Sequence, residues 1–497
     1  MESTFRPALL LMLGRALGFA VSFSIPVVLV RIFDQAEFGT YKQLFLIYST
    51  LYGMAQLGMA ESLFYFLPMA PRERGRYILN ALVALAVAGL ACLVVLGTTG
   101  ASISRWLSNS ALSEHVPLLG LFLGLMVISA VLEIVMISHK RYLWASLSYA
   151  FSDVLRAALF IIPVLFVQQL EGLLVGAVGF ASLRLGAALY YLVREFGGEL
   201  RPDAALLRRQ LAYAVPFEMA VLVEIAQANF HQYAVSYHFD AATFAVYAVG
   251  CLQIPLVDFV ASSGANVMMV RMTEAIRDGR GAAVVAVWHD TTRKLALVFF
   301  PLVGVLVLNA REIIVVLFTE SYLASVPIFM VWSSSMLLGT LSVDAVLRVY
   351  AQTRFLFALN VVRLVLILGL ISWFLSAFQL LGGVLVTVLA MCVAKGLGLA
   401  RMRSLMHVGL SEVLPWRSLA SIGAAAGAAG VLTLILKSGV EMSPFLLLVV
   451  TSLVYPVTYV AGLYGFGAFG EDEMVALKSW LGRWVGGSAR PEALKRS

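Results

Sequence analysis

Apolar residues run along this chain in long, nearly unbroken blocks separated by short polar intervals. A membrane span takes about 20 mostly apolar residues, and fourteen blocks meet that requirement. They cover residues 9–30, 43–67, 77–98, 117–138, 142–167, 172–193, 210–236, 243–266, 295–310, 325–347, 356–377, 380–400, 418–436 and 444–465. Strand-type alternation is missing, which excludes a β-barrel. The first block is long enough to span and carries no cleavage signal. The pattern therefore predicts an all-α polytopic membrane protein with about fourteen transmembrane helices.

The polar intervals orient these spans. With the N-terminus placed in the cytoplasm, 25 of the 35 lysines and arginines fall in cytoplasmic segments, five outside and five within spans. A bias sustained from loop to loop is what the positive-inside rule describes, and one miscounted helix would destroy it. Both ends are thus predicted to be cytoplasmic. Composition agrees: 61% of residues are hydrophobic, only 13% are charged, and the mean hydropathy is +0.92. A soluble chain is about a quarter charged. The net charge of +7 belongs to the inner loops, so nucleic acid is not among the expected partners.

The loops exclude most catalytic readings. The longest outer one, about 99–116, is too short for a catalytic domain, and the longest inner one, about 271–294, holds no Gly-rich phosphate cradle. No G-x-x-x-x-G-K-[ST] or H-E-x-x-H occurs. The six histidines have no ligand spacing, and Cys92, Cys251 and Cys392 lie singly in apolar segments. No catalytic residue, metal site or cofactor is expected. Beyond the last span, Met474, Leu477, Leu481 and Trp484 share one face of Glu471–Val485. That pattern suits an amphipathic helix on the inner surface or against the bundle.

Two stretches 206 residues apart repeat one pattern, Phe33-Asp34-x-Ala36-x-Phe38-x-x-Tyr41 and Phe239-Asp240-x-Ala242-x-Phe244-x-x-Tyr247. Each follows the first long apolar block of its half, so the chain reads as two copies of one bundle, and transporters commonly bind cargo at the seam of such repeats. Charges at bilayer depth are costly and usually face a cavity or a partner. Arg156 and Arg184 fall near the middle of the fifth and sixth spans, and Arg15 and Arg363 lie about two turns inside the first and eleventh. Asp153 stands three residues before Arg156 and can pair with it locally, whereas Arg184 has no acidic residue at helical spacing. Glu61, Glu133, Asp153, Glu218, Glu224, Asp258 and Asp344 are the acidic residues within spans. Glu224, Gln227 and His231 form one stripe on the seventh span, suited either to carrying protons or a cation or to bonding between helices. Asp344 and Arg348 are spaced as a local pair.

Several stretches resemble polysaccharide-transporter flippases, the Wzx-like family of the multidrug/oligosaccharidyl-lipid/polysaccharide exporter superfamily. "FDQAEFGTYKQLFLIYSTLYGMAQLGMAESLFYFLP" (Phe33–Pro68) is similar to the opening segment of that family. "FAVYAVGCLQIPLVDFVASSGANVMMVRM" (Phe244–Met272) resembles its Y-x-x-G-x-x-x-I-P region, and "REIIVVLFTESYLASVPIFMVWS" (Arg311–Ser333) its external loop and tenth helix. The resemblance covers most of residues 9–403. It implies two pseudo-symmetric six-helix lobes around a cavity, residues 1–200 and 201–405. Two further helices (406–466) and a cytoplasmic tail (467–497) follow. The implied activity is the flipping of polyprenyl-diphosphate-linked oligosaccharides across a bacterial inner membrane by alternating access. Implied partners are the lipid-linked substrate, membrane lipids, a glycosyltransferase or polymerase of the same pathway, and H+ or Na+.

An anionic diphosphate suits guanidinium groups, which makes Arg15, Arg156, Arg184 and Arg363 candidate headgroup contacts. Glu224, Asp258 and His231 are candidate coupling-ion groups. Two other classes compete. A multidrug extruder of the same architecture should show acidic residues and few arginines in its cavity. A membrane glycan polymerase or ligase generally carries a large outer loop. Basic residues at mid-span and short loops favour the flippase.

Overall fold

The structure, a computed structural model, describes residues 18 and 20–468. Arg15 and the tail segment 471–485 lie outside the described residues. The chain is an all-helical, multi-pass membrane protein, with no strand among the described residues. Its α-helices are α1 Ala20–Leu29, α2 Gln35–Ala55, α3 Met59–Met69, α4 Arg74–Trp106, α5 Leu112–Ser129, α6 Val131–Ser138, α7 Tyr142–Val167, α8 Leu170–Phe196, α9 Ala204–His238 and α10 Ala241–Gly250. Then follow α11 Pro255–Arg277, α12 Gly281–Leu308, α13 Ala310–Phe318, α14 Val326–Ser335, α15 Val343–Val349, α16 Thr353–Phe378, α17 Leu380–Met406, α18 Trp416–Gly439 and α19 Pro444–Gly465. Among the described residues ten helical segments are long and apolar enough to cross a membrane, counting α5 with α6 as one and the stretch Glu320–Val349 that holds α14 and α15 as another, and the bent α9 makes an eleventh.

Where the apolar blocks and the helices differ, local backbone chemistry gives the reason. The second block is broken into α2 and α3 because Leu57 and Gly58 both adopt positive φ, 50° and 64°, a conformation that no helix continues. The eighth is broken before Pro255, which opens α11 at its first turn, where proline lacks only a donor the helix does not need. α9 bends by 46° between Ala204–Pro216 and Val221–His238, since Pro216 removes a backbone donor mid-helix. The ninth block is shorter than its helix. α12 begins fourteen residues before the expected start, carried into the polar loop by a Lys294–Asp290 pair at 2.8 Å and by Trp288 Nε1 donating to the Val413 carbonyl at 2.7 Å.

The repeated motif is a repeated helix start. Asp34 and Asp240 sit at φ/ψ of −69/173° and −69/171°, and each Oδ1 accepts a backbone N–H three residues on, from Glu37 and Thr243, at 2.8 Å. Hydrogen bonds from Thr243 hold the Asp240 carboxyl below the usual carboxylate range. This cap is therefore complete above that range and is lost as pH falls through the lowered value. Asp34→Ala and Asp240→Ala are each expected to cost about 1 kcal/mol. Thermal unfolding of the purified protein checks this, and unchanged midpoints in both variants would show that the caps contribute nothing.

The residues group into two compact units. The first holds the described residues up to Leu252 with Ile314–Trp332 and Phe357–Ala394; the second holds Gln253–Ile313, Ser333–Leu356 and the described residues from Lys395 on. Within the first, the two motif copies pack α2 against α10. A Cβ on the buried Gly39 would lie 1.8 Å from the Ala241 carbonyl oxygen, so only glycine permits this approach. Polar groups fasten the same end. Arg31 donates to the Val316 and Leu317 carbonyls at 2.6 and 2.9 Å, Gln35 to Ser321 O at 2.6 Å, and Gln43 Nε2 to Ser236 Oγ at 2.7 Å.

Within the second unit, α18 and α19 join α12 through a core of Ala296, Ile422, Ala425, Tyr455 and Tyr459. A buried pair of Lys437 with Glu312 at 2.7 Å supports that joint. Here too Asp344 pairs with Lys395 of α17 at 3.1 Å. Its neighbour in sequence, Arg348, forms no ion pair among the described residues, because α17 supplies a nearer cation.

Candidate functional site

The first unit contains a polar seam built by α1, α2 and α5–α8. α2 carries Tyr41, Phe45, Tyr48 and Tyr52 at spacings of four, three and four, which places them on one helix face. Their rings follow one another at 4.8, 5.8 and 5.5 Å, and Tyr48 stacks on Phe122 of α5 at 4.7 Å. Two guanidinium groups bear on this ladder: Arg156 on Tyr41 and Tyr48, and Arg184 on Tyr48 and Tyr52.

The two arginines are held differently. Every nitrogen of Arg184 is engaged: Nη2 with Glu133 Oε2 of α6 at 2.7 Å, Nη1 with Ser152 Oγ at 2.6 Å and Nε with Ser129 Oγ at 3.2 Å. The second oxygen of Glu133 accepts from Ser148 at 3.0 Å. With side-chain exposures of 13% and 3%, this pair is buried and satisfied, as an ion pair away from water has to be. Arg156 is one-third exposed. Its Nη2 donates to Asp153 on the same helix and to Ser22 of α1, and Ser22 also donates to Asp153 at 3.2 Å. Asp153 fills the space beside Gly18, where a Cβ would fall 2.0 Å from its Oδ2. Among the described residues, Arg156 thus keeps donors that no side chain or carbonyl takes, while Arg184 is fully engaged beside the tyrosines.

A second cluster lies in the same unit, between α9, α10, α14 and α16. His231 is buried, its Nδ1 within 2.6 Å of the Tyr247 hydroxyl and its ring 5.4 Å from that of Trp332. Gln227 Nε2 donates to the Asn360 carbonyl at 2.8 Å, and Arg363, one turn along α16, lies within electrostatic range of His231. The structure therefore brings Arg363, His231 and Gln227 together. Glu224, one turn earlier on α9, is exposed. Asp258 is exposed in the first turn of α11 and belongs to the second unit. No group of three or more potential metal ligands occurs among the described residues.

Sequence reasoning passed over the tyrosine face of α2, although its spacing is plain in the sequence. It could not find Glu133 as the partner of Arg184, because 51 residues and the whole of α7 separate them.

No curated protein sequence matches the chain. The fold is similar to that of a lipid II flippase MurJ in an inward closed conformation, with 11% identity, 93% of this chain and 99% of that chain covered, and a TM-score of 0.74. It is also similar to an inward-facing multidrug resistance MATE family transporter of the MOP superfamily (12% identity, 79% and 98% covered, TM-score 0.62). A third likeness is to a MOP superfamily transporter from Pyrococcus furiosus, described by a binding pocket of reverse polarity (14% identity, 82% and 96% covered, TM-score 0.54). At these identities the likeness is one of fold. The sequence carries the closer assignment: the model of the polysaccharide biosynthesis protein family matches residues 28–327, more than half of the chain, and the chain belongs to that family.

Proposed function

We propose that this protein flips polyprenyl-diphosphate-linked oligosaccharide repeat units from the cytoplasmic to the outer face of a bacterial inner membrane, by alternating access, for surface or extracellular polysaccharide. The observation that carries the reading is the partly exposed Arg156 beside a tyrosine ladder, in a chain of the polysaccharide biosynthesis family. A diphosphate matches the Arg156 donors left open among the described residues, and sugar rings match tyrosine faces with their hydroxyl edges. In this reading Arg156 takes the headgroup, Arg184 positions the ladder, and Arg363 with His231 forms a second polar station. Both termini are cytoplasmic, residues 1–200 and 201–405 are the two lobes, and the glycan is delivered to a polymerase of the same pathway.

A deletion strain tests the reading. Its lipid extract should contain lipid-linked repeat units that an impermeant oxidant cannot reach in intact spheroplasts, surface glycan should be lost, and complementation should restore both. Unchanged lipids with new sensitivity to cationic drugs would replace the flippase with an extruder. In the complementation assay, Arg156→Ala is expected to reduce export about tenfold or more, the scale of one lost charge-assisted contact of roughly 1.5–3 kcal/mol. Arg156→Lys should retain part of it. Full export by Arg156→Ala at normal abundance would remove Arg156 from the headgroup site.

A further inference from the structure

Two carboxyl groups that the headgroup site does not use, Glu218 buried and Glu61 half-buried, lie where two helices are interrupted. Glu61 stands in the first turn of α3, just after the Leu57–Gly58 break, and Glu218 stands inside the bend of α9. A Cβ on Gly58 would come within 2.8 Å of the Ala214 carbonyl, so α3 and α9 are in close contact there, and Gln210 Nε2 donates to Ser62 Oγ at 2.8 Å alongside. Glu218 is only 4% exposed, yet among the described residues its Oε1 has no hydrogen-bond partner, and Oε2 of Glu61 has none either. The backbone N–H of Gly58 and the charge of Glu61 both act electrostatically on the Glu218 carboxyl.

The charged and titratable groups on the helices packed against this point do not neutralise it. They include Tyr52 of α2, Arg74 and Tyr77 of α4, Tyr149 of α7, Arg209 of α9 and Glu133 of α6 with its Arg184 partner, while Tyr65 of α3 and Tyr213 of α9 stack on each other at 4.8 Å. Among the described residues no cation forms an ion pair with Glu61 or Glu218. Two ionised carboxylates acting on each other away from water without a counter-charge are costly, and one proton removes most of that cost.

We propose that Glu61 and Glu218 form a proton-binding site in which the two carboxyl groups share one proton. A proton on Glu218 makes its unpartnered oxygen a donor, and Glu61 supplies a carboxylate oxygen to accept it. Because both groups sit at helix interruptions, taking up or releasing that proton bears directly on how α3 and α9 meet. Its use in coupling rests on the transport reading; its existence does not.

The test is infrared difference spectroscopy on the full-length protein in lipid. Wild type should show the carbonyl stretch of one protonated carboxylic acid at neutral pH, and it should be missing from Glu61→Gln, Glu218→Gln and the double variant. The glutamines mimic the neutral form and preserve packing. A band unchanged in the double variant, or no such band in wild type, would overturn the site. A band that persists in Glu61→Gln and vanishes only in Glu218→Gln would overturn the sharing. None of these readouts involves substrate, so a failure of the flippase reading in the deletion strain is separately visible.

Discussion

Gly39→Val is expected to lower glycan export by about tenfold or more while the protein still inserts and accumulates. The cause is steric. Any Cβ at position 39 falls 1.8 Å from the oxygen and 2.5 Å from the carbon of the Ala241 carbonyl, both backbone atoms that no rotamer change can move. The added methyl groups extend further into the same contact. Overpacking of this kind costs about 1–3 kcal/mol, and each 1.4 kcal/mol is about tenfold in the population of the packed arrangement. α2 and α10 must then separate at the end where Gln35, Gln43 and Arg31 fasten the unit. An Ala241→Cys probe reads that separation. The position is 8% exposed and should resist an impermeant maleimide in the parent protein, but react once Gly39→Val is added. Full export together with an unreactive cysteine would mean that the contact yields freely and that the glycine is not required for it.

How much of this could be read in the sequence depends on the distance over which each feature is decided. Spans are decided by the residues within them, and the blocks beginning at 77, 117, 142, 172, 356, 380, 418 and 444 each became one helical path. The helix starts at Asp34 and Asp240 are equally local, and the motif shows them directly. Breaks were harder. Pro255 announces one, but the α2–α3 interruption depends on Leu57 adopting positive φ beside Gly58, which hydropathy does not record. Partners were hardest. Asp153 and Arg156, three apart, were visible as a pair, whereas Glu133 reaches Arg184 and Asp344 reaches Lys395 only because different helices place them side by side. The polar stripe of α9 shows both sides of this limit. Its spacing correctly put Gln227 and His231 on one face, but their bonds to Asn360 and Tyr247 and the exposure of Glu224 are properties of the packed bundle.

The Arg184–Glu133 pair makes the second large effect. Glu133→Gln removes the counter-charge but leaves the guanidinium 13% exposed among Ser129, Ser152 and the tyrosine ladder. Breaking a buried pair on one side costs about 3–5 kcal/mol, whereas replacing both partners with well-packed apolar residues is often nearly neutral. Glu133→Gln and Arg184→Ala should therefore each lower the thermal stability of the purified protein markedly. The double variant Glu133→Met/Arg184→Met should recover most of the loss. Stability alone does not separate a guanidinium that supports the site from one that touches the diphosphate; export does. If Arg184 acts by holding the floor under Tyr48 and Tyr52, the double variant should export near the parental rate once its fold is restored. If its charge meets the headgroup, the double variant will be stable and inactive, and Arg184 joins Arg156 in the proposed headgroup site. A double variant no more stable than either single one would show that the two side chains are not coupled.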